Sequence, residues 1–176
     1  IGMAGVLDNA RLRYFIAREF GVALHDVESW VIGDHGDRVV PLVSHTTVSG
    51  RPLRDIASGD RINAACQRAR NAGTEILGYL REGSAYFAPG ASICRMLGAI
   101  CGVGATAAMT CSVMLDGEYG VKGVFAGVPV RLGGCGVERI VEFDLDPDER
   151  LQFEAAVAAI RERNRLAEQL VIQARK

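Results

Sequence analysis

The 176-residue sequence has no apolar stretch approaching the roughly 18 consecutive residues that a membrane-spanning helix needs. Its first residues lack the charged-then-apolar layout of a secretion signal, so the expected compartment is the cytoplasm. There is no Lys/Arg-rich run, and 20 Lys and Arg against 21 Asp and Glu leave a formal net charge of -1. That balance removes the electrostatic footprint of a nucleic-acid or anionic-membrane binder. No C-x-x-C pair occurs either: Cys66, Cys94, Cys101, Cys111 and Cys135 are odd in number and irregularly spaced, which argues against a disulfide framework and a zinc site. Most of them lie in apolar runs and are read as small buried hydrophobes with no catalytic role. A P-loop, an H-E-x-x-H helix, a G-x-S-x-G elbow, internal repeats and low-complexity linkers are all missing.

What is present is the composition of one globular domain, 49% apolar and 23% charged. A chain of this mass buries on the order of 70% of its unfolded surface, enough for a core without staples. The chain opens at Ile1-Gly2-Met3 with helix-like sequence almost at once, and is expected to be a piece of something longer.

Residues 3–20 place Leu12, Phe15, Ile16 and Phe20 at helical spacing, with Gly21 where a left-handed cap belongs. Asp26 to Ile32 reads as a strand ending on the polar turn Gly33-Asp34-His35-Gly36-Asp37, and Val39 to Val48 continues as extended sequence before a turn at Gly50-Arg51-Pro52. Ile62, Ala65, Ala69, Ala72, Ile76 and Leu80 form a stripe that predicts a helix over 60–80, and a second, more apolar helix is expected from Pro89 to Gly102. Strands predicted at 106–115, 121–131 and 137–144 form an antiparallel meander around the turns Asp116–Gly120 and Gly133–Gly136. A last helix starts with Asp146 as cap, Pro147 at its first position and Glu149 in its first turn, and lines up Phe153, Val157, Ile160, Asn164, Ala167 and Val171. Hairpins rather than strand–helix–strand units make the class α+β, an antiparallel meander packed with long helices.

Individual motifs are ambiguous. Asp8 and Arg11 share a helix face, which by spacing alone describes a surface ion pair. His35 sits in a glycine-flanked loop at a strand end, where a side chain is presented either to solvent or to a cleft. Asp34, Asp37 and His45 offer no recognised ligand spacing to a metal, and the even spacing of His25, His35 and His45 is coincidence; no metal site is expected. Gly102-Val103-Gly104-Ala105-Thr106-Ala107 matches G-x-G-x-x-A, but a dinucleotide fingerprint needs a strand before it and a helix after it. Here the predicted order is reversed, so the segment reads as a helix-terminating loop.

Taken together they are specific. Val6-Leu7-Asp8-Asn9-Ala10-Arg11 followed by Gly33-Asp34-His35-Gly36-Asp37 resembles the lactate/malate dehydrogenase family. The likeness continues in order through Val40-Pro41-Leu42, Arg70–Ile76, Gly83–Pro89 and Leu115–Val121, and the later blocks look like the lactate-dehydrogenase-like malate dehydrogenases of bacteria. Asn9 stands where that pattern more often has serine.

The resemblance implies that His35 is the base that takes the hydroxyl proton of a 2-hydroxy acid and returns it in reverse, a role suited to imidazole near neutral pH. Asp8 would fix its tautomer, and Arg11 would grip the substrate C1 carboxylate with its planar fork. Ala85 would line the substrate pocket and Pro89 the nicotinamide side. It further implies that residues 1–176 are the C-terminal, substrate-binding half of an NAD-dependent malate dehydrogenase. The nucleotide-binding Rossmann domain and the substrate-selecting loop would be absent from the chain, and the isolated half inactive. The expected partners are a small 2-hydroxy or 2-keto dicarboxylate and, in the parent enzyme, further copies in a dimer or tetramer. A lactate or other 2-hydroxyacid dehydrogenase half, and a non-catalytic oligomerisation module, are the alternatives.

Overall fold

The computed structural model describes residues 1–103 and 108–174. Helix α1 (Ala4–Phe20) ends on Gly21 in the left-handed conformation, φ 65°, as its apolar spacing and terminal glycine predict. Two short strands follow, β1 (Val27–Glu28) and β2 (Val31–Gly33), then β3 (Val39–Pro41), β4 (Thr47–Val48) and β5 (Arg51–Pro52). Helices α2 (Leu53–Ile56), α3 (Gly59–Leu80) and α4 (Phe87–Ile100) precede the long strands β6 (Met109–Asp116) and β7 (Lys122–Gly133), strand β8 (Gly136–Ile140) and helix α5 (Pro147–Ala174). All pairings between the strands are antiparallel, in a β1-β4-β5 sheet and a larger sheet built on β7. The class is α+β, and β6-β7-β8 is the expected meander.

Several boundaries differ from expectation for physical reasons. The strand predicted over 26–32 is two strands in two sheets: Val27 pairs with Val48, whereas Val31 pairs with Pro41. The extended run predicted over 39–48 stops at Pro41 as a strand, its pairing with β2 closed by Leu42 N donating to Trp30 O at 2.8 Å, and then coils through a 3-10 turn at Val43–His45. Arg51 and Pro52, expected in a turn, pair with Val48 and Thr47, and the turn itself is Ser49-Gly50. Strand β8 stops at Ile140 because Val141 N still donates to Pro129 O at 2.7 Å but Pro129 has no N–H to return, and Val141 O accepts instead from the Tyr119 hydroxyl, which also accepts from Phe143 N, each at 3.1 Å. Helix α4 begins two residues before Pro89 and ends at Ile100. The predicted first residues of the sixth strand, Thr106 and Ala107, and Gly104–Ala107 of the glycine-rich pattern lie outside the described residues; a helix precedes that pattern and a strand follows it.

The cap of α5 is reciprocal. Glu149 N donates to Asp146 Oδ1 at 2.8 Å, and Asp146 N donates back to Glu149 Oε2 at 3.2 Å. The buried Glu149 carboxylate also accepts from Ser44 N and Ser44 Oγ, so the same group that starts α5 holds the 3-10 turn after β3.

Apolar burial divides into two clusters. One lies between the large sheet, α4 and the first half of α5, around Phe153, Leu115, Val128 and Val130. The other lies between α1, α3 and the small sheet, around Leu12, Ile16, Val27 and Leu53. Helix α1 belongs to both, with Val6 in the first and Leu12, Phe15 and Ile16 in the second. The predicted stripes run past these cores: Leu80 of α3 and Asn164, Ala167 and Val171 of α5 are exposed. Amphipathic spacing marks a face whether or not this chain covers it. The cysteines divide too. Cys66 and Cys111 are buried, while Cys94 lies on the exposed side of α4, whose buried positions are Ser92, Met96 and Ala99, and Cys101 and Cys135 are exposed in the turns after α4 and β7.

Gly5 sets the seat of α1 on the sheet. A Cβ there would lie 2.4 Å from Thr110 Cγ2 and 2.7 Å from Thr110 O, a backbone atom of β6 that cannot swing aside. Gly5→Ala therefore lifts the helix off β6 and lowers stability by about 1–3 kcal/mol, read as a lower urea midpoint; an unchanged midpoint contradicts this packing.

Candidate active site

Asp8 lies one turn beyond Gly5, on the part of α1 between the two clusters, and is buried with 5% exposure. Its Oδ2 accepts from His35 Nδ1 at 2.8 Å, and its Oδ1 is 3.5 Å from Arg11 Nη1. Burial removes the reading of Asp8 and Arg11 as a surface pair. A buried carboxylate must find charged or hydrogen-bonding partners, and here it has one on each oxygen.

His35 reaches Asp8 because β2 ends at Gly33, which has φ 91° and turns the chain out of the sheet. A Cβ at Gly33 would sit 3.2 Å from Ala156 Cβ of α5 and 3.3 Å from Arg38 O, so shape and dihedral both call for glycine. The next residue, Asp34, accepts the backbone N–H of His35 at 2.9 Å. With Nδ1 donating to Asp8, a neutral His35 presents its Nε2 lone pair outward from a half-exposed ring. The hydrogen bond to Asp8 is the main cause that raises the His35 pKa above its usual 6.5; burial opposes it, the Asp8 and Asp34 charges add to it, and Arg11 subtracts.

A cavity of about 90 Å³ opens beside the imidazole, lined by Gly5, Asp8, Gly33, His35, Ser112, Phe125 and Gly127 among others. Ser112, Gly127 and Gly33 form one row across β6, β7 and β2, so three small residues in register leave this space above the sheet. The sequence reading did not single out this row, because strand register between distant segments is not written in local pattern.

Arg11 is largely buried, and among the described residues its Nε has no hydrogen-bond partner. An orphan donor on a buried guanidinium is costly unless an acceptor arrives. Helix α3 makes room for it at Gly73, where a Cβ would stand 3.4 Å from Nη1. Asn9, the departure from the family pattern, accepts from Ser29 Oγ at 2.8 Å and so ties α1 to the connection between β1 and β2.

Ala85 and Pro89 stand apart from this trio. Ala85 is half-buried in the segment before α4, lining a cavity of about 170 Å³ with Ile76, Leu80 and Ala88. Pro89 lies half-buried in the first turn of α4. Ile76 and Ala88 also line the groove of about 360 Å³ that contains Arg11, whereas Ala85 does not. Asp34, Asp37 and His45 do not converge: Asp34 bonds Arg163 and His35, whereas His45 meets Ser44 Oγ and stacks at 4.6 Å on Phe143. Among the described residues no group of three His, Cys, Asp or Glu side chains is placed to hold a metal.

Residues 5–171 match the family model of the lactate/malate dehydrogenase α/β C-terminal domain. The chain belongs to this family. Within it, the malate dehydrogenase of Neorickettsia sennetsu is 45% identical over all of this chain and 55% of its own length, and that of Chloroherpeton thalassium is 48% identical over 92% of this chain and 52% of its own. Among solved structures, the malate dehydrogenase from Salinibacter ruber superposes with a TM-score of 0.93 at 39% identity, covering 98% of this chain and 56% of that one. The lactate dehydrogenase from Cryptosporidium parvum, solved with lactic acid and nicotinamide adenine dinucleotide, gives 0.91 at 38%, covering 95% and 54%. The chain thus spans about half the length of the relatives it matches. No described helix of this family member is long and apolar enough to cross a membrane.

The His35–Asp8 bond has a thermodynamic signature. A folded pKa above the unfolded one means that the pair's stabilisation is complete below the unfolded pKa, about 6.5, and is lost as pH rises through the folded pKa. Asp8→Asn should lower the His35 titration midpoint followed by imidazole NMR shifts, and the stability gap between wild type and variant should be widest on the acid side. A midpoint that does not fall removes Asp8 as the cause.

Proposed function

We propose that residues 1–176 are the substrate-binding, C-terminal half of an NAD-dependent malate dehydrogenase that interconverts (S)-malate and oxaloacetate. The observation that carries this reading is the buried Asp8 carboxylate shared between an imidazole and a guanidinium with an unused donor. His35 Nε2 takes the C2 hydroxyl proton in oxidation and returns it to the carbonyl oxygen in reduction. Asp8 holds the Nδ1 tautomer and stabilises the imidazolium as it forms. Arg11 binds the C1 carboxylate, its Nε and one Nη matching the two carboxylate oxygens in a fork that a lysine cannot reproduce. Ala85 contacts the substrate and Pro89 the nicotinamide side.

The residues present fit one role toward the dinucleotide and not another. Among the described residues no strand, glycine-rich turn and helix follow one another as a pyrophosphate cradle demands. The donor set suits a partner that takes up hydride while His35 handles the proton, and the nicotinamide supplies that acceptor when bound. The segment that holds NAD therefore belongs to the remainder of the enzyme. The same reading makes the parent a cytoplasmic dimer or tetramer, with the exposed Tyr14, Tyr79 and Phe87 of α1, α3 and α4 covered on assembly. The malate branch is favoured by relatives named malate dehydrogenase at 44–48% identity.

The test is NADH oxidation by the full-length protein with oxaloacetate and pyruvate offered separately. Oxaloacetate should turn over faster, and His35→Asn should lower kcat by about 10²–10⁴-fold. Preference for pyruvate moves the chain to the lactate branch, and no turnover of either removes the reading. Arg11→Lys should act mainly on KM, raising it about tenfold to a hundredfold through loss of the paired hydrogen bonds. The 176-residue chain alone should oxidise no NADH; measurable turnover would contradict the assignment of the dinucleotide site to the missing half.

A further inference from the structure

Helix α5 packs into the core only as far as Ile160, and every described residue beyond it is exposed. The exposed section nevertheless makes one contact that leads into the site. Arg163 Nη2 reaches Asp34 Oδ2 at 2.5 Å, across 129 residues of sequence. The other oxygen of the same carboxylate, Oδ1, accepts the backbone N–H of His35. Asp34 is only 12% exposed, so its charge is mostly withdrawn from water and depends on these two donors. The neighbouring turn of α5 meets the loop as well: Ile160 lines the cavity beside the imidazole, and Ala156 approaches Gly33.

We propose that Arg163 is a positioning residue for His35: it clamps Asp34, and Asp34 in turn fixes the backbone from which the imidazole reaches Asp8. This rests on the reading of His35 as the proton donor and acceptor. The ion pair is half open to solvent on the arginine side, so it adds little to global stability. Its effect is local, in two ways. Losing Arg163 leaves the segment between Gly33 and Gly36 without its side-chain hydrogen bond to α5, and it leaves the Asp34 charge unopposed beside the ring. The charged groups that act on His35 are Asp8 and Arg11 from α1 and Asp34 from its own loop, and Arg163 from α5 is bonded to the last of these.

The experiment is a double-mutant cycle of Arg163→Gln and Asp34→Asn. In the 176-residue chain, with the His35 signals assigned by their loss in His35→Asn, Arg163→Gln should weaken the Nδ1–H hydrogen bond to Asp8, read as broadening or an upfield shift of the Nδ1 proton resonance. It should leave the melting temperature nearly unchanged, and have no further effect on that resonance once Asp34 is Asn. In the full-length protein the same substitution should lower kcat for oxaloacetate reduction about tenfold with little change in KM, and Arg163→Lys should recover most of the loss. An unmoved Nδ1 proton resonance, an equal change in the Asp34→Asn background, or a KM effect with normal kcat overturns the clamp. If the wild-type enzyme reduces no 2-keto acid, the functional reading falls, and the hydrogen-bond cycle still decides whether Arg163 acts on His35 through Asp34.

Discussion

A carboxylate with 5% exposure is stable in a protein only when both of its oxygens are occupied, and the arrangement around Asp8 follows from that constraint. One oxygen takes the His35 N–H and the other faces Arg11. The first contact orients the imidazole, and the second keeps a guanidinium beside it. Because Asp8 and Arg11 are three residues apart on one helix, a single rigid element fixes the guanidinium relative to the carboxylate that anchors the imidazole.

The fold supplies that element with a seat at the seam of its two apolar clusters. Gly5 lets α1 touch β6 at backbone distance, and Val6 and Leu12 anchor the helix on either side of Asp8. The opposite wall is sheet: Gly33, Gly127 and Ser112 in one register row leave the space into which the imidazole turns. Small residues at these places weaken strands taken by themselves. They persist where backbone has to approach backbone or where a pocket must stay open.

Much of this was legible in the sequence, and the rest was not for reasons that differ by element. Helix spacing and end signals located α1, α3 and α5, since Gly21 and the Asp146–Glu149 box are local instructions. Local pattern did not reveal that Val27 and Val31 join different sheets, because alternation names a face and not a partner. It also carried the α3 and α5 stripes past the core, where nothing described in this chain covers Leu80 or Val171. At the site, spacing described Asp8 and Arg11 as an ordinary surface pair; only the family resemblance joined them to His35, and burial then removed the surface reading. The contact of Asp34 with Arg163 had no sequence signal at all, because nothing local relates residues 129 apart.

In the proposed chemistry Arg11 and His35 address one small acid from the two sides of Asp8. The most direct test is a crystal structure of the full-length protein with NADH and a non-reducible 2-keto-acid analogue. The account predicts the analogue carboxylate paired to Arg11 through Nε and one Nη, with His35 Nε2 in hydrogen-bond contact with the oxygen on C2. An analogue bound with Arg11 Nε still unpaired, or with His35 directed away from C2, would contradict it.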